Sequence, residues 1–160
     1  SRSKRSPFAN KIVFMEIRPI EERDLSAFAR LMGELMGGAP TDPVLLRENF
    51  AALQSDENSC VLGAFDDSGD LLGSVYLIFC RDFVDDCRPF AVIENVIVAQ
   101  SARGTGCGGA LMREAERLCR KRRCTYMMLV SGEHRKTAHG MYEHLGFDVP
   151  VRGFKKYLDE

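Results

Sequence analysis

An apolar, strand-like segment that runs into a glycine-rich loop and then into a helix constrains this chain most strongly. The strand pattern covers Ala91–Val98, Arg103 follows it, and four glycines then open the helix: Gly104, Gly106, Gly108 and Gly109. Glycine backbone can turn its N–H groups inward, and a helix N-terminus adds about half a positive charge. Arg103 adds a permanent cation beside it. The pattern therefore predicts a site for a phosphate or a pyrophosphate.

Two known kinds of phosphate-binding loop, the dinucleotide-binding loop and the P-loop, can be excluded. Gly104-x-Gly106-x-x-Gly109 satisfies the dinucleotide pattern G-x-G-x-x-G, and Glu133 lies near the place of the ribose-binding acid. In that fold the first glycine closes a tight turn at the strand end, whereas residues 99–103 intervene here and too little chain follows for the remaining βαβ units. A P-loop is excluded because no Gly-Lys-Ser/Thr follows.

Two motifs in order resemble those of one known family. Arg103-x-x-Gly106-x-Gly108, between a strand and a helix, is similar to the Q/R-x-x-G-x-G/A segment of the GCN5-related N-acetyltransferases. Ala138–Phe147 is similar to the later helix of that family, which ends in Tyr-x-x-x-Gly-Phe. The resemblance runs from about Ile17 to Leu158. It implies the GNAT fold, an α/β (α+β) architecture with a central mixed, mostly antiparallel sheet flanked by helices.

The same resemblance implies acetyl-CoA as cosubstrate, with its pyrophosphate on the glycine loop and its pantetheine arm along the preceding strand. The implied binding residues are Val96, Ile97, Val98, Arg103, Gly104, Thr105, Gly106, Cys107, Gly108 and Gly109. Arg135 stands where the commonest family pattern has an asparagine that contacts pantetheine. That contact is therefore left unassigned.

Glu94 is the candidate general base. Strict alternation along Val92–Val98 places it on the face of Val92, Val96 and Val98, where desolvation would make its carboxylate a stronger base for an amine. The family resemblance implies the same role, often through a water. The alternative is a structural glutamate paired with Arg18 or Arg81.

Tyr142 is the candidate general acid. It shares a helical face with Ala138, Met141 and Leu145, which by itself indicates a core aromatic residue. The resemblance implies that its hydroxyl protonates the departing coenzyme A thiolate after direct attack by an amine.

The acceptor is expected to be a primary amine of a small molecule. The loop Arg81–Arg88 carries both signs of charge and is predicted to overhang the acceptor end of the site. Two alternatives stay open there: Asp82, Asp85 and Asp86 attract a cationic amine, or Arg81 and Arg88 hold an anionic group of the acceptor. A protein or peptide N-acetyltransferase and a non-catalytic sensor of acyl-CoA remain open alternatives.

Composition limits the partners. The 22 Lys and Arg balance 23 Asp and Glu, so nucleic acid and membrane surfaces are not expected partners. The run Arg120–Arg123 is interpreted as cations that complement a helix C-terminus. No apolar segment approaches the roughly 20 residues of a membrane span. The six cysteines contain no C-x-x-C pair, which favours reduced thiols and a cytoplasmic protein without a metal site. Cys107, at a helix start, is either a thiol of lowered pKa or a small residue that fits the loop.

Along the chain we predict an extension or leader at residues 1–14, disordered, and a single N-acetyltransferase domain at 15–160. The predicted element order is β-α-α-β-β-β-α-β-α-β-β, with a strand at Tyr126–Val130 and a terminal β pair within Phe147–Leu158. A homodimer is compatible with this organisation.

Overall fold

A five-stranded sheet with helices on both faces forms the body of the computed structural model, which describes residues 14–159. The strands are β1 (Glu16–Pro19), β2 (Ser59–Phe65), β3 (Leu71–Cys80), β4 (Phe90–Val98) and β5 (Met127–Met128). The helices are α1 (Leu25–Met36), α2 (Pro43–Gln54), α3 (Cys107–Lys121) and α4 (Lys136–His144). The strands lie in the order β1-β2-β3-β4-β5, and only the β4–β5 pair is parallel. This confirms the mixed, mostly antiparallel sheet flanked by helices; the predicted extension lies outside the described residues, except for Phe14.

Two hydrophobic cores cover the two faces of the sheet. One packs α3 and α4 on the sheet and includes Leu77, Ile93 and Leu111. The other packs α1 and α2 on the opposite face and includes Phe28 and Phe50. Alternate residues of a strand point to opposite faces, so each central strand contributes to both cores.

Asp24 occupies the N-cap position of α1, but its side chain does not cap the helix. The Asp24 carboxylate instead accepts hydrogen bonds from Arg18 Nη1 at 2.7 Å and from the Glu21 amide at 2.9 Å. The bond from Arg18 holds the pKa of the Asp24 carboxyl below its usual value. The Arg18 guanidinium also lies 3.7 Å from the centroid of the Phe65 ring. This cluster therefore ties β1 to the beginning of α1.

A β-bulge at Asn95 corrects the predicted alternation of β4. Asn95 has a left-handed backbone (φ 49°), and the register shifts so that Glu94 faces Tyr76 while Ile97 faces Ser74. Val96 consequently joins the core beneath α3 and α4, whereas Ile97 joins the core beneath α1 and α2. The prediction that Glu94 shares a buried face with Val96 is wrong, because the extra residue inverts the facing of every side chain beyond it.

The end of the chain also differs from expectation. Of the predicted strand Tyr126–Val130, only β5 pairs with β4, at Ala91 and Val92. Helix α4 is confirmed, but residues 148–159 form neither helix nor strand. The predicted terminal β pair is therefore wrong within one chain, because a strand needs a backbone partner and this segment has none among the described residues.

Candidate active site

A gap opens between β4 and β5 towards the glycine loop. The two strands pair only at Ala91–Met127 and Val92–Met128, although β4 continues to Val98. Beyond Val92 this edge of β4 has no strand partner in the described part of the chain. Free backbone N–H and C=O groups of this kind can receive an extended ligand that carries amides.

The glycine loop connects this edge to α3 in the conformation that an anion site needs. Gly104 and Gly106 have φ of 75° and 85°, and Gly106 is the N-cap of α3. A Cβ at either position would meet no atom within 4 Å, so the backbone conformation rather than crowding requires glycine. No side chain caps α3. The N–H groups of its first turn are therefore left for a ligand.

Neighbouring side chains hold the loop in place. Thr105 Oγ1 donates to the carbonyl of Ala102 at 2.5 Å, and Glu34 of α1 accepts a hydrogen bond from the Gln100 amide at 3.1 Å. Arg103 is exposed beside the loop. Thr105 thus shapes the loop through its hydroxyl, while Arg103 remains accessible to an anion.

Cys107 and Gly108 are buried beneath the loop. Cys107 is 1% exposed, and burial raises the pKa of its thiol to about 11. The interpretation of Cys107 as a thiol of lowered pKa is wrong, because burial disfavours the charged thiolate. A Cβ on Gly108 would lie 2.7 Å from Met141 Sδ. Gly108 therefore permits the close packing of α3 against α4, a role that its place in the motif does not reveal.

Tyr142 reaches the same region from α4. Its side chain is 6% exposed and contacts the Phe147 ring edge-on, with centroids 5.9 Å apart. Burial raises the pKa of its phenol, and the positive charge of Arg135 opposes that shift. Arg135 Nη2 donates to the Val96 carbonyl at 3.4 Å. The residue left unassigned from the sequence therefore lies at the gap, bonded to the backbone of β4.

Glu94 lies on the opposite face of the sheet, which carries a cleft between α2 and the strands; Glu94 itself is not one of the residues that line this cleft. The cleft has a volume of about 240 Å³ and contains the polar residues Asn49, Asp56, Tyr76 and Asn95 among apolar walls. Glu94 is directly across from Tyr76 and is exposed, so the expected burial of its carboxylate is wrong. Arg18 is bonded to Asp24, and no ion pair involves Glu94 within residues 14–159. This excludes the structural pairing with Arg18.

Sequence reasoning missed Asn49, Tyr76 and Asn95 as cleft residues. The alternation of β3 marks Tyr76 only as one of several partly buried side chains. Asparagine tolerates a left-handed backbone better than most residues. The asparagine at position 95, directly after Glu94, was therefore the sequence signal that could have indicated the bulge.

The loop Arg81–Arg88 lies at the start of β4, about 26 Å along the strand from the glycine loop. It contributes no residue to the cleft lining. Arg88 donates to the carbonyls of Arg123 and Cys124 at 3.2 and 3.5 Å. The Arg88 guanidinium thus joins this loop to the end of α3. This contact gives no support to the prediction that Arg88 binds the acceptor.

The basic run at the end of α3 serves packing as well. Arg120 pairs with Glu116 at 2.5 Å, and Arg122 lies 4.2 Å from the centroid of the Phe79 ring while donating to the Glu57 carbonyl.

All six cysteines are free. Within residues 14–159, no cluster of three or more His, Cys, Asp or Glu side chains is placed to hold a metal ion. No helix of the same part of the chain has the length and hydropathy of a membrane span.

Comparisons with known proteins agree with this geometry. The sequence profile described as the acetyltransferase (GNAT) family matches residues 19–147. The chain is 33% identical over 143 residues to a glucosamine 6-phosphate N-acetyltransferase of Trypanosoma brucei brucei, covering 88% of this chain and 94% of the relative. It is 32% identical to glucosamine 6-phosphate N-acetyltransferase 1 of Oryza sativa subsp. japonica, covering 82% and 79%.

A solved acetyltransferase structure from Trypanosoma brucei superposes with a TM-score of 0.78 at 30% identity, covering 91% of this chain and all of the other. The family profile spans most of the described residues, including β4, the glycine loop, α3 and α4. With the gap between β4 and β5 and the glycine-capped α3, these matches show that the chain belongs to the GNAT family of acetyltransferases.

Proposed function

We propose that this protein transfers the acetyl group of acetyl-CoA to the primary amine of a small molecule by direct attack, with glucosamine 6-phosphate as the acceptor. One observation carries the proposal: the unpaired edge of β4 leads directly into the open N-terminus of α3. An anion site continuous with a free strand edge fits a ligand that has a pyrophosphate at one end and an amide-containing arm.

Acetyl-CoA fits the residues present. Its pyrophosphate would bind the first-turn amides of α3 and the Arg103 guanidinium, since Gly104 and Gly106 leave open space in front of the loop. The amides of its pantetheine arm would bond to the backbone of Val96–Val98. The Val96 carbonyl accepts a hydrogen bond from Arg135, so a pantetheine amide would replace or share that bond at this position.

The chemistry then runs through Glu94 and Tyr142. The acceptor nitrogen attacks the thioester carbonyl carbon, and the C–S bond breaks as the tetrahedral intermediate collapses. The nitrogen loses one proton to Glu94, directly or through a water, and the coenzyme A sulfur gains one from Tyr142. Solvent returns the proton to Tyr142 and removes the one on Glu94. Burial keeps the Tyr142 phenol protonated until the thiolate departs, which suits a general acid.

The burial of Cys107 supports direct attack by the amine rather than a covalent cysteine intermediate. Cys107 lies at the N-terminus of α3, but its burial raises the thiol pKa to about 11. A thiolate is the reactive form of cysteine, so an acetyl-cysteine intermediate at this position is disfavoured near neutral pH.

The acceptor is proposed from the cleft and from the relatives. Asp56 puts negative charge in the cleft lining, and the amides and phenol of the lining offer partners for hydroxyl groups. Glu94 is outside the lining but directly across from Tyr76, which belongs to it. Two relatives that are 33% and 32% identical are glucosamine 6-phosphate N-acetyltransferases. The lining contains no lysine or arginine, so a phosphate would lie outside the cleft.

Steady-state kinetics with acetyl-CoA and a panel of amines tests the acceptor. We expect the highest kcat/KM for glucosamine 6-phosphate, with glucosamine as the matched control that lacks only the phosphate. An N-terminal peptide should be acetylated poorly, because a 240 Å³ cleft offers no extended groove. A peptide that outperforms every small amine would make the protein a peptide acetyltransferase. Binding of acetyl-CoA without turnover of any amine would make it a sensor.

Near-isosteric variants test the acid and base. Glu94→Gln and Tyr142→Phe should each lower kcat by about 10²-fold or more, since general acid–base groups contribute on that scale. Affinity for coenzyme A should change little. Glu143→Gln, an exposed neighbour on α4, and Tyr126→Phe, an exposed tyrosine beside β5, serve as matched controls. Wild-type turnover in Glu94→Gln would assign the base to another group.

A further inference from the structure

The turn that ends α3 brings two cysteines together. The Cys124 amide donates to the Cys119 carbonyl at 2.9 Å, and the Arg123 amide donates to the Arg120 carbonyl at 2.9 Å. Arg123, between the two bonds, has a left-handed backbone with φ of 61°. This combination is the Schellman motif, in which a contact between the side chains of the first and last residues frequently accompanies the hydrogen bonds. Here both of those residues are cysteines.

The backbone separation of Cys119 and Cys124 fits a disulfide. Because one hydrogen bond of 2.9 Å joins the amide of Cys124 to the carbonyl of Cys119, their Cα atoms are at most about 6.8 Å apart. Disulfides occur at Cα separations of roughly 4.4–6.8 Å. The two residues are therefore within disulfide range without a change in the helix or in the turn.

Both thiols belong to the same hydrophobic core. Cys119 is 2% exposed, whereas Cys124 is partly buried and packs against the same cluster. Burial raises the pKa of both thiols, that of Cys119 to about 12. A hydrogen bond between the two thiols adds to the rise at Cys119 and opposes it at Cys124. The thiols are therefore neighbours, and Cys124 is the one that a reagent in solution can reach.

The same turn is a junction of several elements. Arg88, from the loop Arg81–Arg88, donates to the carbonyls of Arg123 and Cys124, and Arg122 donates to the Glu57 carbonyl. Strand β5, one wall of the gap beside β4, begins three residues after Cys124. A covalent link at this turn would fix the end of α3 to the segment that leads into β5.

We propose that Cys119 and Cys124 form a dithiol site that a small disulfide oxidises to an intramolecular disulfide. The Cys124 thiolate attacks one sulfur of the small disulfide, which gives a mixed disulfide and releases one thiolate. The Cys119 thiolate then attacks the Cys124 sulfur, so the bond between the two residues forms and the second thiolate leaves. The two cysteine protons end on the two released thiols, and the two electrons lost by the cysteines reduce the small disulfide. This inference does not depend on the acceptor or on catalysis.

Peptide mapping of the full chain tests the site directly. The protein is equilibrated with glutathione disulfide, alkylated as it is denatured so that its thiols cannot exchange, and digested with trypsin. Trypsin cleaves after each residue of the run Arg120–Arg123, so Cys119 and Cys124 fall into separate peptides, residues 118–120 and 124–135.

We expect these two peptides to be recovered as one species, lighter than their sum by two hydrogen atoms and separated by reduction. Cys60 is the competing thiol, because it is partly buried and packs against the same cluster. Recovery of Cys119 and Cys124 as alkylated thiols, as mixed disulfides with glutathione or as disulfides with Cys60 would overturn the proposal.

Thermal unfolding gives a second readout. A cross-link constrains the unfolded chain, so oxidation should raise the Tm of the wild type, and dithiothreitol should reverse the rise. Cys124→Ser should show no rise, whereas the control Cys60→Ser should respond as the wild type does. A rise that persists in Cys124→Ser, or that is lost in Cys60→Ser, would contradict the pairing. The peptide map needs neither variant, so it decides the proposal even if one of them fails to fold.

Discussion

The left-handed backbone of Asn95 decides which face of the sheet the side chains of β4 lie on. With φ of 49° it adds one residue opposite Val75, so side chains before and after it point to opposite faces. Glu94 therefore lies on the same face as Tyr76, covered by α1 and α2, whereas Val96 packs on the side of Tyr142. A single left-handed residue thus places the proposed base and acid on either side of the same gap.

Gly106 offers a prediction at the residue scale. Gly106→Val should abolish measurable coenzyme A binding, because a β-branched residue at φ of 85° costs about 1–2 kcal/mol and would turn the loop amides away from the ligand. Calorimetry on the folded variant measures the loss.

The matched control is Gly140→Ala in α4. There a Cβ would meet no atom within 4 Å and φ is not positive, so affinity should be retained. Wild-type affinity in a folded Gly106→Val protein would contradict the assignment of the loop as the pyrophosphate site.

At the scale of elements, the docking of α3 on the sheet depends on Gly73 of β3. A Cβ there would lie 2.7 Å from the Ile97 carbonyl oxygen, 3.0 Å from Cys107 Sγ and 3.2 Å from Leu111 Cδ1. The first contact is backbone and cannot rotate away. The absence of a side chain at Gly73 therefore sets how closely the start of α3, and with it the glycine loop, approaches β4.

Gly73→Ala should consequently destabilise the protein by about 1–3 kcal/mol, the range for overpacking a core. Urea unfolding followed by circular dichroism measures the change. Gly38→Ala, where a Cβ would meet no atom within 4 Å and φ is not positive, should stay within about 0.5 kcal/mol of the wild type. Equal midpoints for the two variants would show that the sheet yields at Gly73 without cost.

At the scale of the whole molecule, the sheet separates the two sites that we propose for acetyl-CoA and the acceptor. The glycine loop and Tyr142 belong to the side covered by α3 and α4, while the cleft with Tyr76 and Asn95 belongs to the side covered by α1 and α2. The gap between β4 and β5 connects the two sides.

The local pattern of the sequence determined the features that depend on a few consecutive residues. The glycine loop and the Tyr142–Phe147 motif were predicted in this way. The apolar stripe of α1 and the Asp42–Pro43 start of α2 are also visible in their own residues. Their physical causes act within one turn or one loop: helical periodicity, the fixed φ of proline, and the positive φ open to glycine. The fold class followed from the order of these elements together with the family resemblance.

Tertiary structure alone decided the features that depend on a partner distant in sequence. The face on which Glu94 lies depends on a bulge against β3, and the thiol pKa of Cys107 depends on burial at the start of α3. The Asp24 carboxylate is held by a hydrogen bond from Arg18 of β1. The terminal segment shows the limit most clearly. Its alternation is that of a strand, but a strand exists only where a second backbone supplies the hydrogen bonds, and no residue within the segment specifies where that backbone lies.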